Sequence, residues 1–297
     1  MGIIFMTGGV VSLSKYADYS YLDIYNESVL GARTVEERIE ELRVSGKNYR
    51  YMVKTIVSGS MIESNIYPVY EKRKDKPRRE KNKISKEAQV KLNDKNAKLK
   101  FIRLVNSNFS KDDLMITLTY EDRYLPTEKQ AKKDITNYIR RIKTYRKKNG
   151  LPALKYVYVI GYEDPENQHG NKKVRIHHHI IINQMDREAA EDLWGRGRVE
   201  AKRLQPDEYG LEGIARYMVA QKGKRWYSSK NLIQPKEYKS RTKISKRKAE
   251  RIALDENYHK ELFEKLYSDK YKFLDCKTYI SDITGGTYLY CRMRKKD

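Results

Sequence analysis

Cysteine is nearly absent: 297 residues contain two, Cys276 and Cys291. Neither has metal-ligand spacing, so a cysteine-built metal site is not expected, and the pair reads as reduced thiols of a cytoplasmic protein. No apolar stretch approaches the length of a transmembrane helix, which leaves no expected role for a membrane. The segment from Met1 to Val11 is apolar but lacks the basic start of a signal peptide. No internal repeat and no Walker phosphate loop is present. Acidic residues are outnumbered, 40 against 63 Lys and Arg, giving a net charge of +23. Such an excess points to a polyanionic partner, most often nucleic acid, with a basic membrane-surface protein as the rival. Histidine is scarce at five, whereas tyrosine reaches 25. Tyrosine suits base stacking, but its abundance lowers the weight of any one as a catalyst. The length allows one large domain or two modest ones.

Three of the five histidines are adjacent, in Arg175-Ile176-His177-His178-His179-Ile180-Ile181-Ile182. The β-branched residues around them predict a strand. Side chains alternate along a strand, so His177, His179 and Ile181 share one face. Ile176, His178, Ile180 and Ile182 share the other, which wants a core. His178 is therefore structural. His177 and His179 are either the two jaws of a metal site or stacked core side chains.

Along the chain, residues 1–48 form an N-terminal extension, with a short helix over 34–43 opened by Thr34 and Glu37 as a capping box. Residues 49–57 and 61–70 alternate as two strands around a Ser58-Gly59-Ser60 turn, a β-hairpin. Residues 71–83 are a basic run containing proline, either a solvated linker or a phosphate-binding loop. A helix follows over 85–106, with Leu92, Leu99, Ile102 and Val105 at helical spacing. These pieces form a segment spanning 49–110.

The next segment, 111–224, is the core. A strand over 114–120 points Ile116 and Leu118 one way and Thr117 and Thr119 the other. A helix opened by Thr127 runs to about Lys148, with Ile135, Ile139 and Ile142 in its stripe. A strand over 154–163 precedes the histidine strand. Asp186 starts a short helix, residues 197–204 read as an outer strand, and a helix follows from Pro206 to about Gln221. Strand, helix, strand, strand, helix, strand, helix predicts an α+β fold of the ferredoxin or RRM type, an antiparallel sheet with helices on one face. The face bearing His177 and His179 would stay open for a ligand. Residues 225–297 read as an appended C-terminal subdomain, with a helix over 255–267 and a strand over 287–293.

Two imidazoles on a strand leave a divalent ion open to further ligands. Glu163, at the end of the preceding strand, is either the third ligand or a surface carboxylate, and His169 in the same loop is a lower-ranked alternative. Two histidines, a carboxylate and water fit Mg²⁺ or Mn²⁺ acting on a phosphate. Water as nucleophile would make a nuclease. A tyrosine would make a phosphotyrosyl intermediate that conserves the bond energy. Tyr217, in Gly213-Ile214-Ala215-Arg216-Tyr217, is the candidate, against the alternative of a ring packed in a helix interface. Lys222 and Lys224 follow and could offset phosphate charge.

These motifs, in this order, resemble the HUH endonucleases, the rolling-circle replication initiators of plasmids and small single-stranded DNA phages. Within them the chain is most similar to the replication-associated proteins akin to filamentous-phage initiators. Ile116-Thr117-Leu118-Thr119-Tyr120 resembles the first motif, His177-His178-His179 the histidine motif and Tyr217 the nucleophile of the third. Two positions depart from the pattern. His178 stands where a bulky hydrophobe is usual, and Ala220 where a lysine is usual, so Lys224 with Lys222 behind it takes the lysine role. The resemblance implies nicking and rejoining of one strand at an origin, with Tyr217 linked to the DNA 5′ end and His177, His179 and Glu163 holding the ion. It implies single-stranded origin DNA, a host helicase and a host polymerase as partners, in a bacterial cell. A relaxase or transposase of the same chemistry, or a non-catalytic basic nucleic-acid-binding module, are the alternatives.

Overall fold

The computed structural model describes residues 49–70, 86–161, 176–220, 226–255, 257–268, 270–280 and 287–296. Within them the chain is α+β, with two five-stranded antiparallel sheets. The capping box at 34–37 and the basic run at 71–83 lie outside the described residues.

The first sheet is built from β3 (Leu114–Leu118), β4 (Tyr156–Gly161), β5 (His177–Ile182), β6 (Val199–Arg203) and the short β7 (Tyr227–Ser228), in the order β6-β3-β5-β4-β7. In chain order the first four strands, with the helices between them, run strand, helix, strand, strand, helix, strand, with β4 and β5 consecutive and paired antiparallel. Their spatial order is consistent with a ferredoxin-like sheet, in which β5 returns between β3 and β4. The outer position expected of residues 197–204 is observed, since β6 is an edge. The register aligns Ile116 with Ile180 and Tyr158 with Ile180, so three neighbouring strands present their apolar residues to one side.

That side is covered by α2 (Glu128–Lys148) and α3 (Arg187–Asp192). Thr127 caps α2 by accepting a hydrogen bond from the Gln130 amide, and Asp186 caps α3 by accepting from that of Ala189. Both satisfy amides that a helix start leaves without a partner. Ile135, Tyr138 and Ile142 of α2 pack with Trp194 on Ile116, Leu118, Ile180 and Ile182, all buried.

The opposite face was expected to be open, and it is not. Here α1 (Lys86–Asn108) and α4 (Glu212–Val219) cover the sheet. Phe101, Ile102, Val105, Ala215 and Met218 pack on Met115, Val157, Val159 and Ile181. The physical reason is that the strands are apolar on both faces, as doubly covered strands are. Leaving these side chains in water would forfeit on the order of 1.5–3 kcal/mol for each large one. α4 is also shorter than expected. Residues Asp207 and Gly210 bridge in a tight turn, with Gly210 at φ +70°, before the helix begins at Glu212.

The second sheet joins segments far apart in sequence. It runs β8-β1-β2-β10-β9, from β1 (Tyr49–Ser58), β2 (Met61–Tyr70), β8 (Lys236–Ser240), β9 (Tyr271–Ile280) and β10 (Thr287–Lys295). The expected hairpin forms, turning at Gly59-Ser60. Gly59 has φ +62°, and a Cβ there would stand 2.0 Å from the Asn106 carbonyl oxygen, so glycine permits the turn to abut α1. The helices α5 (Lys246–Leu254) and α6 (Asn257–Tyr267) cover one face of this sheet. Cys276 and Cys291 are opposite residues of β9 and β10 and are joined as a disulfide, which corrects the expectation of reduced thiols.

Charged side chains connect the two halves. The Arg103 guanidinium on α1 donates to both oxygens of Glu63 on β2, at 2.9 and 2.6 Å, and Tyr290 Oη donates to the same carboxylate at 3.0 Å. Arg292 on β10 donates to Glu212 on α4 at 2.9 Å and to Asp275 on β9 at 2.9 Å. Among the described residues no helix is long and apolar enough to cross a membrane.

Candidate active site

The strand β5 exposes alternate histidines to opposite environments, as its period of two requires. His177 is half-buried and His179 is buried. Their rings lie on the α4 side, 4.9 Å apart between centroids. Met115 and Thr117 of β3 share this face, and Thr117 is the register partner of His179. The Thr117 hydroxyl lies 3.2 Å from His179 Nδ1. A hydroxyl there fixes the ring and assigns Nδ1 as one hydrogen-bonding nitrogen, which defines Nε2 as the other coordinating position of the imidazole.

Tyr217 is brought to the same place by α4. Its apolar neighbours Ala215 and Met218 are buried against Val157, Val159 and Ile181, which rolls the tyrosine toward β5. The Tyr217 ring meets the His179 ring at 5.1 Å between centroids, with the planes at 66°. Ala215, small and fully buried in the cluster, lets the helix lie close to the sheet. On α4 itself, Glu212 is bound by Arg216 at 2.6 Å and by Arg292 of the second sheet at 2.9 Å. The orientation of the tyrosine helix therefore depends on a contact from β10.

His178 points the other way, into the α2 side, and is fully buried. Its Nε2 lies 2.9 Å from Tyr120 Oη, and Tyr120 donates to Asp134 Oδ2 at 3.5 Å. One hydroxyl proton cannot serve both neighbours. With the proton toward the carboxylate, His178 Nε2–H donates to the tyrosine oxygen, and the imine Nδ1 is left in an apolar pocket. Nδ1 has no partner among the described residues, in keeping with this tautomer. Gln130 Nε2 donates to the other oxygen of Asp134 at 2.8 Å. Burial, helped by the flanking His177 and His179, pushes the His178 pKa down to about 3, so the ring stays neutral. Burial, then Asp134, raises the Tyr120 hydroxyl above its ordinary range. Such a network explains how a histidine occupies a position suited to a hydrophobe: the apolar core supplies it with a polar partner.

His177, His179 and Tyr217 are thus brought together. Glu163, Lys222, Lys224 and His169 lie outside the described residues. Among the described residues no group of three or more His, Cys, Asp or Glu side chains converges as a metal cage. The two imidazoles, with Nδ1 of one held by a hydroxyl, are a donor set that fits a divalent ion needing further ligands. Thr117 was placed on this face by the alternation of its strand but not given a role. Tyr120 and Arg292 were given no role as hydrogen-bonding partners, because the groups they meet are 14 to 80 residues away.

No curated protein and no solved structure matches the chain. Residues 113–224, which contain β3 to α4 with both histidines and Tyr217, match the family model described as replication-associated protein ORF2/G2P.

Proposed function

We propose that the protein nicks and rejoins single-stranded DNA at a replication origin, with Tyr217 as the nucleophile. The observation that carries this reading is the contact of Tyr217 with His179, 5.1 Å between ring centroids, inside the segment that matches a replication-associated family. Tyr217 Oη attacks the scissile phosphorus and the bond to the 3′ oxygen breaks. The tyrosine loses its proton, the departing oxygen gains one, and the DNA 5′ end stays on the protein as a phosphotyrosine. The free 3′-OH then primes a host polymerase, and its attack on the phosphotyrosine reverses the step. His177 and His179, with Glu163 as third ligand, would hold Mg²⁺ or Mn²⁺. Such an ion supplies polarisation of a phosphoryl oxygen when bound. Thr117 orients His179, α4 holds the tyrosine over the strand, and Lys224 with Lys222 offsets phosphate charge. A host helicase opens the duplex. A relaxase or transposase would use the same chemistry on a different DNA substrate.

The test is a denaturing gel of the protein incubated with single-stranded origin DNA and Mn²⁺. A covalent protein–DNA adduct, mapped by mass spectrometry to the peptide containing Tyr217, is the expected result. Cleavage without an adduct points to a water-using nuclease, and binding without cleavage to a non-catalytic nucleic-acid module.

A further inference from the structure

On the face of the first sheet opposite to Tyr217, three tyrosines form a ladder at the β7 edge. Tyr156 and Tyr158 alternate onto this face of β4, and Tyr227 of β7 is the register partner of Tyr158. The Tyr156 and Tyr158 rings stack at 6.2 Å with planes at 25°, and the Tyr158 and Tyr227 rings at 4.9 Å with planes at 15°. Burial falls off outward: Tyr158 is 9% exposed, whereas Tyr227 is 41% exposed. Tyr158 covers one side of the Tyr227 ring, and Tyr227 remains exposed at the outer end of the ladder.

The flank of the ladder is basic. Lys143 of α2 holds its ammonium 5.9 Å from the Tyr156 ring centroid. Lys132, three turns earlier on the same side of α2, is exposed, pairs with Glu128 at 2.8 Å and lies within electrostatic reach of the Tyr227 hydroxyl. A column of stacked rings ending in an exposed tyrosine, with ammonium groups beside it, matches the chemistry of a base on a phosphate backbone. The chain's net charge of +23 favours the same partner.

We propose that Tyr227, backed by Tyr158 and Tyr156, is a stacking platform on which a base of single-stranded DNA extends the ladder, while Lys132 and Lys143 meet the neighbouring phosphates. The choice of DNA rests on the reading of the Tyr217 site, but the platform lies on the other face. Val159 is opposite His179 and Tyr158 is opposite Ile180, so adjacent residues of β4 face the two locations. From β5 to β7 is two strand spacings, about 10 Å. A strand of DNA that reaches both locations passes around the β7 edge.

The experiment is fluorescence anisotropy of a fluorescein-labelled single-stranded oligodeoxythymidylate with the full chain, in EDTA so that no cleavage takes part. Tyr227→Leu should bind roughly tenfold more weakly, the effect of losing one base–aromatic stack, and Tyr227→Phe should bind as the parent does. Thermal melting of each variant reads the fold, and because Tyr227 is exposed the melting temperatures should agree. Affinity of the Leu variant equal to that of the parent, or equal losses in Leu and Phe, overturns the platform. A Tyr227-dependent dimer in sedimentation of the protein alone assigns the ladder to a second copy and also overturns it. Tighter, equally Tyr227-dependent binding of oligouridylate replaces DNA by RNA and overturns the choice of partner. The adduct assay with Mn²⁺ reads Tyr217 and this binding assay in EDTA reads Tyr227, so a failed nicking reading and a failed platform give different results.

Discussion

Tyr217 and His179 meet edge to face, their ring centroids 5.1 Å apart, although 38 positions separate them in the chain. The contact exists because α4 packs its buried Ala215 and Met218 onto the strands beside β5. It places a hydroxyl-bearing ring next to an imidazole whose other side is held by Thr117. The tyrosine hydroxyl can be removed with the ring kept in place, so the chemistry of this contact can be separated from its structural role.

Tyr217→Phe removes one hydroxyl and keeps the ring against His179. Stability should change by no more than about 1 kcal/mol, the net value of one hydrogen bond. The DNA adduct should disappear while oligonucleotide affinity persists, since affinity rests mainly on phosphate contacts. Adduct formation by the Phe variant at the parent rate would show that Tyr217 is not the nucleophile. Tyr227 is a poor substitute, because it stacks on Tyr158 on the opposite face.

Thr117→Val is close to isosteric and deletes the hydroxyl 3.2 Å from His179 Nδ1. Loss of such an orienting partner lowers metal affinity by about 10- to 100-fold. Titration of Mn²⁺ followed by electron paramagnetic resonance should show that weakening, with an unchanged melting temperature. Parent-like Mn²⁺ affinity would remove Thr117 from the site.

His178 gives the protein an acid-sensitive core. Its pKa is pushed down to about 3 by burial, against 6.5 when unfolded. The unfolded chain therefore takes up the proton first as pH falls. The stability held by neutral His178 is complete above about pH 6.5 and is lost progressively down toward pH 3, at up to about 1.4 kcal/mol per pH unit. Urea unfolding of the parent and of His178→Phe across this range should show a shallower pH slope for the variant. Identical slopes would mean that His178 is protonated in the fold.

Arg292→Met breaks the joint between β10 and α4. Arg292 and Glu212 are only 13% and 15% exposed in their side chains, and without the guanidinium Glu212 keeps Arg216 alone while Asp275 loses its ion pair with β10. The cost should be on the order of 3 kcal/mol, measured by denaturant unfolding. Nicking by the folded variant should fall more than its DNA affinity, because α4 carries Tyr217. Equal losses would assign Arg292 to stability alone.

Much of the first sheet was legible because its signals are local. Alternation over β3 and β5 separated Thr117 from Ile116 and His178 from its two neighbours, and Pro126-Thr127-Glu128 marked the start of α2. The order of strands and helices then restricted the sheet to a small set of arrangements. The covered second face was misjudged for a related reason. The sequence shows that Val157, Val159 and Ile181 are apolar, but which helix fills the space above them is a question of packing between distant segments.

The histidine strand and its two faces were determined by sequence alone, because side-chain direction in a strand follows from residue number. Tertiary structure decided the rest. It set Tyr217 against His179, gave His178 a partner in Tyr120, paired Cys276 with Cys291, and tied α4 to β10 through Arg292. Each of these depends on strands or helices that meet only when the chain closes loops of many residues. No periodicity within a short window records which distant side chain will stand opposite.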